Sequence, residues 1–165
     1  MTTTLSIEDR LEQLGVLIGN EDTEIQRTGA DLITKFFTEY QIGSDVDVET
    51  STLVLHYLTD IQVRDFAMGL LDPEDAERQA EMLQVLFDAA PDESDFINAP
   101  AALMSILYYE QNRVADAVLI LTRASTQYSL AQLLMRVYRA GWNPESFAAM
   151  REELHPKVVA GIYGS

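Results

Sequence analysis

Between residues 100 and 141 the apolar side chains recur three and four positions apart, in three consecutive blocks. Leu103, Ile106 and Leu107 make the first. Val114, Ala117, Val118, Leu121 and Ala124 make the second, and Leu130, Leu133, Leu134, Val137 and Tyr138 the third. A period near 3.6 places each block on one face of a helix and does not suit a strand. Small residues at Ala115, Ala117 and Ala124 mark where helices approach closely. The stretch therefore predicts two antiparallel helices, a short loop and a third helix, with the rest of the chain packed on that unit.

The remaining sequence repeats the pattern of a start signal followed by an apolar face. Ser6 caps a helix carrying Ile7, Leu11, Leu14 and Ile18, which Gly19-Asn20 ends. Asp22 or Thr23 caps the next, whose face holds Ile25, Leu32, Ile33, Phe36, Phe37 and Tyr40. Gly29 on that face predicts a close helix crossing. A loop over 45–47 leads into a helix from about Val48, with a break near Thr59-Asp60. Asp72-Pro73 starts another helix, in line with the preference for a cap followed by proline at the first helical position. Residues 90–95 form an exposed acidic turn, and a helix begins at Pro100. Asn112 takes a tight turn, Ser129 and Gln132 form a capping box, and Asn143-Pro144 opens a helix that His155-Pro156 breaks. The expected fold is all-α: one compact domain of about eight to ten short helices.

The chain has 165 residues, 47% of them hydrophobic, enough for one domain with a real core. It has no cysteine, so disulfides and thiolate metal sites are excluded and a cytoplasmic setting is expected. Residues 1–9 lack the basic start and apolar centre of a secretory leader. No apolar run reaches the roughly 20 residues of a membrane span. The net charge of −16 is uneven. Residues 1–100 hold 22 acidic and 5 basic side chains, a net −17, and residues 101–165 hold 5 and 6, a net +1. The chain thus divides into an acidic helical half, 1–98, and a nearly neutral half, 99–165. So acidic a chain is repelled by nucleic acid and by anionic membranes, and direct binding to either is not expected.

Catalytic and metal motifs are sparse. The two histidines, His56 and His155, have no companion nucleophile and no second ligand at metal spacing. The Asp45-x-Asp47-x-Glu49 spacing starts like a calcium loop. It then places Thr50 where glycine is needed and His56 where a bidentate glutamate is needed. Glycines lie scattered at helix ends and form no phosphate loop. No cofactor, no metal and no enzymatic activity are expected. The basic residues Arg136, Arg139 and Arg151 lie near Tyr138 and Trp142, a composition typical of protein-interface anchors.

Tyr109, Asn112, Ala117, Leu121 and Ala124 follow the order of the centre of a tetratricopeptide repeat, which the region resembles. Asn112 stands in place of glycine, and no proline follows Ala124. A single copy implies a repeat-like hairpin and not an array. A longer stretch, roughly 63–158, carries Arg64-Asp65, Pro100-Ala101-Ala102-Leu103, the Tyr128-Ser129 to Leu134 segment and Trp142. It resembles the C-terminal part of the actinobacterial domain-of-unknown-function family 4192. That resemblance implies a helical fold, assigns no catalytic residue, and suggests an actinobacterial or phage-borne origin.

These readings lead to a non-enzymatic protein- or peptide-binding helical domain. Its partner surface is expected at the seam between the halves, at Tyr109, Arg113, Arg136, Arg139 and Trp142. The partner is a protein, with a second copy of the chain as one candidate, since an acidic half and a basic patch favour head-to-tail contact. An acidic decoy that imitates nucleic acid and occupies a DNA-binding protein is the alternative, and an unfamiliar enzyme with a pocket at His56 or His155 is a third.

Overall fold

A computed structural model describes residues 5–164, so residues 1–4 of the opening stretch, read above as unlike a leader, lie outside it. Nine α-helices and one 3₁₀ turn make up the described residues, with no strand. In chain order they are α1 (Ile7–Leu14), α2 (Thr23–Glu39), α3 (Val48–Tyr57), α4 (Ile61–Gly69), the 3₁₀ turn Pro73–Asp75, α5 (Ala76–Ala89), α6 (Asp95–Glu110), α7 (Val114–Leu121), α8 (Ser129–Arg139) and α9 (Pro144–Tyr163). None is long and apolar enough to cross a membrane.

The helix starts follow their side-chain chemistry. Ser6, Asp22, Asp47, Asp60, Asp72 and Asn143 each accept a backbone N–H from the first turn they precede, which satisfies donors that the helix itself leaves open. Asn112 makes the α6–α7 turn at φ 63°, a left-handed conformation that asparagine tolerates better than most residues.

Helix α6 is the centre. Twelve of its sixteen residues are buried, and α3, α5, α7, α8 and α9 all pack against it. A helix apolar on every side is one enclosed by others. Around it the buried hydrophobic side chains form one cluster, from Leu11 in α1 to Ile162 in α9. The divide at 98/99 drawn from charge falls within the buried part of α6. Gly29 sits where α2 meets α3 and α4: a Cβ there would lie 2.8 Å from Tyr57 Cδ1 and 3.0 Å from Val63 Cγ2.

Four local expectations are corrected. Helix α1 ends at Leu14, because Gly15 turns the chain at φ 76°, and Ile18 is left 63% exposed instead of on a core face. Helix α6 starts at Asp95 and carries Pro100 inside it. Ser129 is the first residue of α8 and gives no cap, Tyr128 holding that position without a side-chain bond. Helix α9 runs on through Pro156 for 20 residues. A proline removes one helical hydrogen bond and crowds the carbonyl four residues back. In α9 tertiary contacts on both sides hold the helix together. Before the proline, Arg151 is locked to α6 and α4. Beyond it, Ile162 is fully buried, Arg27 donates to the Ile162 carbonyl, and the Tyr163 hydroxyl donates to Asp31.

Arg151, grouped in sequence with Arg136 and Arg139, lies inside the fold. Its Nε and Nη2 donate to the two Glu110 carboxylate oxygens at 2.8 and 2.7 Å, and Nη1 donates to the Met68 carbonyl at 2.9 Å. Both charged side chains are 1% exposed. Removing one partner leaves a charge buried and uncompensated. Arg151→Ala is therefore expected to cost about 3–5 kcal/mol of stability, measured as the loss in urea unfolding free energy. Arg151→Met combined with Glu110→Leu should recover most of it, since an apolar pair of similar volume often replaces a buried ion pair without loss.

Candidate functional site

Helix α7, Val-Ala-Asp-Ala-Val-Leu-Ile-Leu, has apolar residues at almost every position, yet only Ala117 and Leu121 are buried. Leu119 is 70% exposed and Val114 42%. With two turns and a single covering helix on each side, α7 has more apolar surface than its neighbours α6 and α8 can cover. Helix α8 is more sharply amphipathic. Leu130, Ala131, Leu134, Val137 and Tyr138 turn inward, while Leu133, Arg136 and Arg139 face water.

Between α7, the 122–128 loop and α8 lies an open groove of about 450 Å³. Leu121, Ala124, Ala131 and Met135 give it an apolar floor, and Arg136 and Arg139 stand at one end. These two arginines occupy the last turn of α8, where the helix dipole favours a positive charge. Among the described residues neither forms an ion pair. The groove thus combines apolar contact area with two uncommitted guanidinium groups. That chemistry can hold an apolar segment carrying carboxylates, because an arginine pairs with a carboxylate through two parallel hydrogen bonds.

The five residues singled out from sequence do not form one patch. Arg136 and Arg139 share the groove. Arg113 lies in a separate hollow at the α6–α7 turn, paired with Asp116 at 2.8 Å and stacked over the Tyr108 ring at 4.4 Å. Trp142 is 45% exposed on the α8–α9 turn. Tyr109 is corrected outright: at 2% exposure it is a core residue. Its hydroxyl donates to the Trp142 carbonyl, and its ring stacks on Tyr138 at 4.3 Å and meets Phe147 edge-on at 5.9 Å. Burial raises the Tyr109 and Tyr138 phenols above their ordinary value. Ser105 donates its single proton to the Ala117 carbonyl, so the Tyr138 hydroxyl donates to Ser105 Oγ at 2.8 Å. Met135 of the groove was not singled out from sequence, nor was the exposed Leu119, which lines the hollow at Arg113. An apolar residue in an apolar helix gives no sign of being left outside.

The histidines hold structural positions. His56 is buried, with Nδ1 2.7 Å from the Gly15 carbonyl. His155 packs on Phe66 at 5.3 Å and covers Gly69 so closely that any Cβ there would collide with its ring. Its buried Nδ1 has no hydrogen-bond partner. Asp47, in the calcium-like spacing, is a helix cap. The Thr50 backbone N–H donates to it at 2.7 Å and holds its carboxyl below the ordinary range. No group of three or more His, Cys, Asp or Glu side chains suited to a metal ion occurs among the described residues.

The family model described as Domain of unknown function (DUF4192) matches residues 4–145, and the chain belongs to that family. The match begins far earlier than the stretch whose motifs resembled the family, and it ends just inside α9. No curated protein and no solved structure matches the chain.

Burial, and then the Arg151 guanidinium one turn away, hold the His155 imidazolium below its ordinary pKa of 6.5. As pH falls through about 6.5 the unfolded chain takes up that proton first, so stability is complete above this pH and declines below it. The decline levels off once the folded-state value is passed. Carboxylates held low, such as Glu81 with its bonds from Tyr40 and Gly43, act only at more acid pH. The urea midpoint is expected to drop between about pH 7.5 and 5.5, and to drop less in His155→Leu.

Proposed function

We propose that this chain is a non-enzymatic binding domain whose α7–α8 groove receives a segment of a partner protein in the cytoplasm. The observation that carries the reading is the groove itself. Its apolar floor of Leu121, Ala124, Ala131 and Met135 lies beside the unpaired Arg136 and Arg139. The segment that fits is an amphipathic helix or turn with two or three apolar anchors and one or two carboxylates. Helix-in-groove recognition uses anchors three and four residues apart, and Arg136 and Arg139 share one helix face at that same spacing. A binding role also suits the positions of both histidines, which serve packing. The absence of cysteine from the sequence suits a reducing compartment.

The net charge of −16 works against an acidic partner at long range, but only in part. Ionic screening acts over about 8 Å at physiological salt, and the groove lies in the half of the chain that is nearly neutral. Apolar contact then sets affinity, and the arginines set orientation.

A displayed library of random peptides, selected on the intact protein, tests this. Selected peptides should combine apolar anchors with Asp or Glu, and Arg136→Glu with Arg139→Glu should weaken them by tenfold or more, the usual cost of losing hydrogen bonds to charged groups. Both arginines are exposed, so the variant keeps the fold. Peptides without carboxylates, or peptides indifferent to the double reversal, would sink the proposal.

A further inference from the structure

A second, more enclosed cleft of about 240 Å³ opens on the other side of the 122–128 loop. It lies where the starts of α4, α6 and α8 converge. The Arg64-Asp65 and Tyr128-Ser129 pairs, far apart in sequence, meet at its wall. Arg64 is 8% exposed. Its Nε and Nη2 donate to Asp65 Oδ1 at 3.1 and 2.9 Å, and Nη1 donates to the Tyr128 hydroxyl at 3.2 Å. A guanidinium has five N–H donors, so two remain for an occupant. Asp65 offsets the charge, and Arg64 therefore supplies donors more than net positive charge.

Asn98 is 6% exposed and lines the same cleft. Its Oδ1 accepts the Ser125 backbone N–H at 2.8 Å. Its Nδ2 has no partner in the protein, although Nδ2 is not among the wholly enclosed unpaired atoms, so the amide donors open onto the cleft. These donors are left to solvent in a space that a ligand can fill. Beside it, the first amides of α8 lack a side-chain cap, since Tyr128 makes none. One wall of the cleft is therefore rich in donors and suits a carboxylate.

The opposite requirement is set by Asp95, which precedes Asn98 by three residues on α6 and so shares its face. Its carboxylate has no ion-pair or hydrogen-bond partner among the described residues and disfavours a simple anion. It suits an ammonium group instead. Ile18, Leu58 and Ile61 supply an apolar wall. The volume lies between the roughly 150 Å³ of a cavity that holds benzene and the roughly 300–1,000 Å³ of drug-sized sites.

We infer that this cleft binds a free apolar α-amino acid. Its carboxylate meets Asn98 Nδ2, Arg64 and the α8 amides, its ammonium meets Asp95, and its side chain lies on Ile18, Leu58 and Ile61. The site is separate from the α7–α8 groove and does not depend on the function assigned there.

Calorimetric titration of the full chain tests it, with L-leucine, L-isoleucine, L-valine, L-methionine and L-phenylalanine as probes. Two truncated analogues of leucine complete the set: 4-methylpentanoate, which lacks the ammonium, and 3-methylbutylamine, which lacks the carboxylate. At least one amino acid should bind, and for leucine each analogue should bind tenfold or more weakly. Asn98→Asp keeps the acceptor for Ser125, removes both donors, and should weaken binding by tenfold or more. Asp95→Asn, at an exposed position, should narrow the gap between leucine and 4-methylpentanoate, and it carries the test if Asn98→Asp does not fold. The inference is overturned if no amino acid binds, if 4-methylpentanoate matches leucine, or if neither variant changes affinity.

Discussion

The buried pair of Arg151 and Glu110 fixes how the last helix meets the first eight. Glu110 ends α6, the helix that every later element packs against, and Arg151 lies in the middle of α9. The third guanidinium contact, to the Met68 carbonyl, reaches the last turn of α4. One side chain therefore joins three helices, and the Met68 carbonyl accepts from it in addition to the Leu71 backbone N–H. Ion pairs of this kind are poor sources of net stability, because desolvation offsets attraction. What they enforce is position: Arg151 has one place where its charge and its donors are all met, and α9 docks in the register that provides it.

That register has consequences across the neutral half. With α9 in place, Phe147 reaches Tyr109, Tyr109 stacks on Tyr138, and Tyr138 donates to Ser105, which donates to Ala117. The chain of contacts runs from α9 through α6 and α8 to α7. It reaches α7 at Ala117, beside the buried Leu121 and the half-buried Val118 and Ile120, while Val114 and Leu119 of the same helix stay exposed.

Sequence carried the local signals well and the distant ones poorly. Caps at Ser6, Asp22, Asp72 and Asn143, the turn at Asn112 and the crossing at Gly29 are short-range, and each stands where its chemistry requires. Pro100 and Pro156 misled because helix continuity there depends on packing from other elements. The partner of Arg151 was not legible because Glu110 lies 41 residues away in sequence. Tyr109 looked like an interface anchor because an aromatic residue near exposed arginines has the same composition whether it faces in or out. Arg136 and Arg139 were legible, since basic residues in a last helical turn usually face water.

The acidic surplus has a structural share and a remainder. Asp22, Asp47, Asp60 and Asp72 cap helices, Glu81 ties the α2 end to α5 through Tyr40 and Gly43, and Glu110 holds Arg151. A chain of many short helices has many starts, and each start favours a carboxylate. The remaining charge keeps like copies apart in most orientations. The exception is the orientation that sets the Arg136 and Arg139 end of one copy on the acidic half of another. The exposed apolar surface of α7 thus lies on the nearly neutral half, and repulsion between copies comes from charge carried elsewhere in the chain.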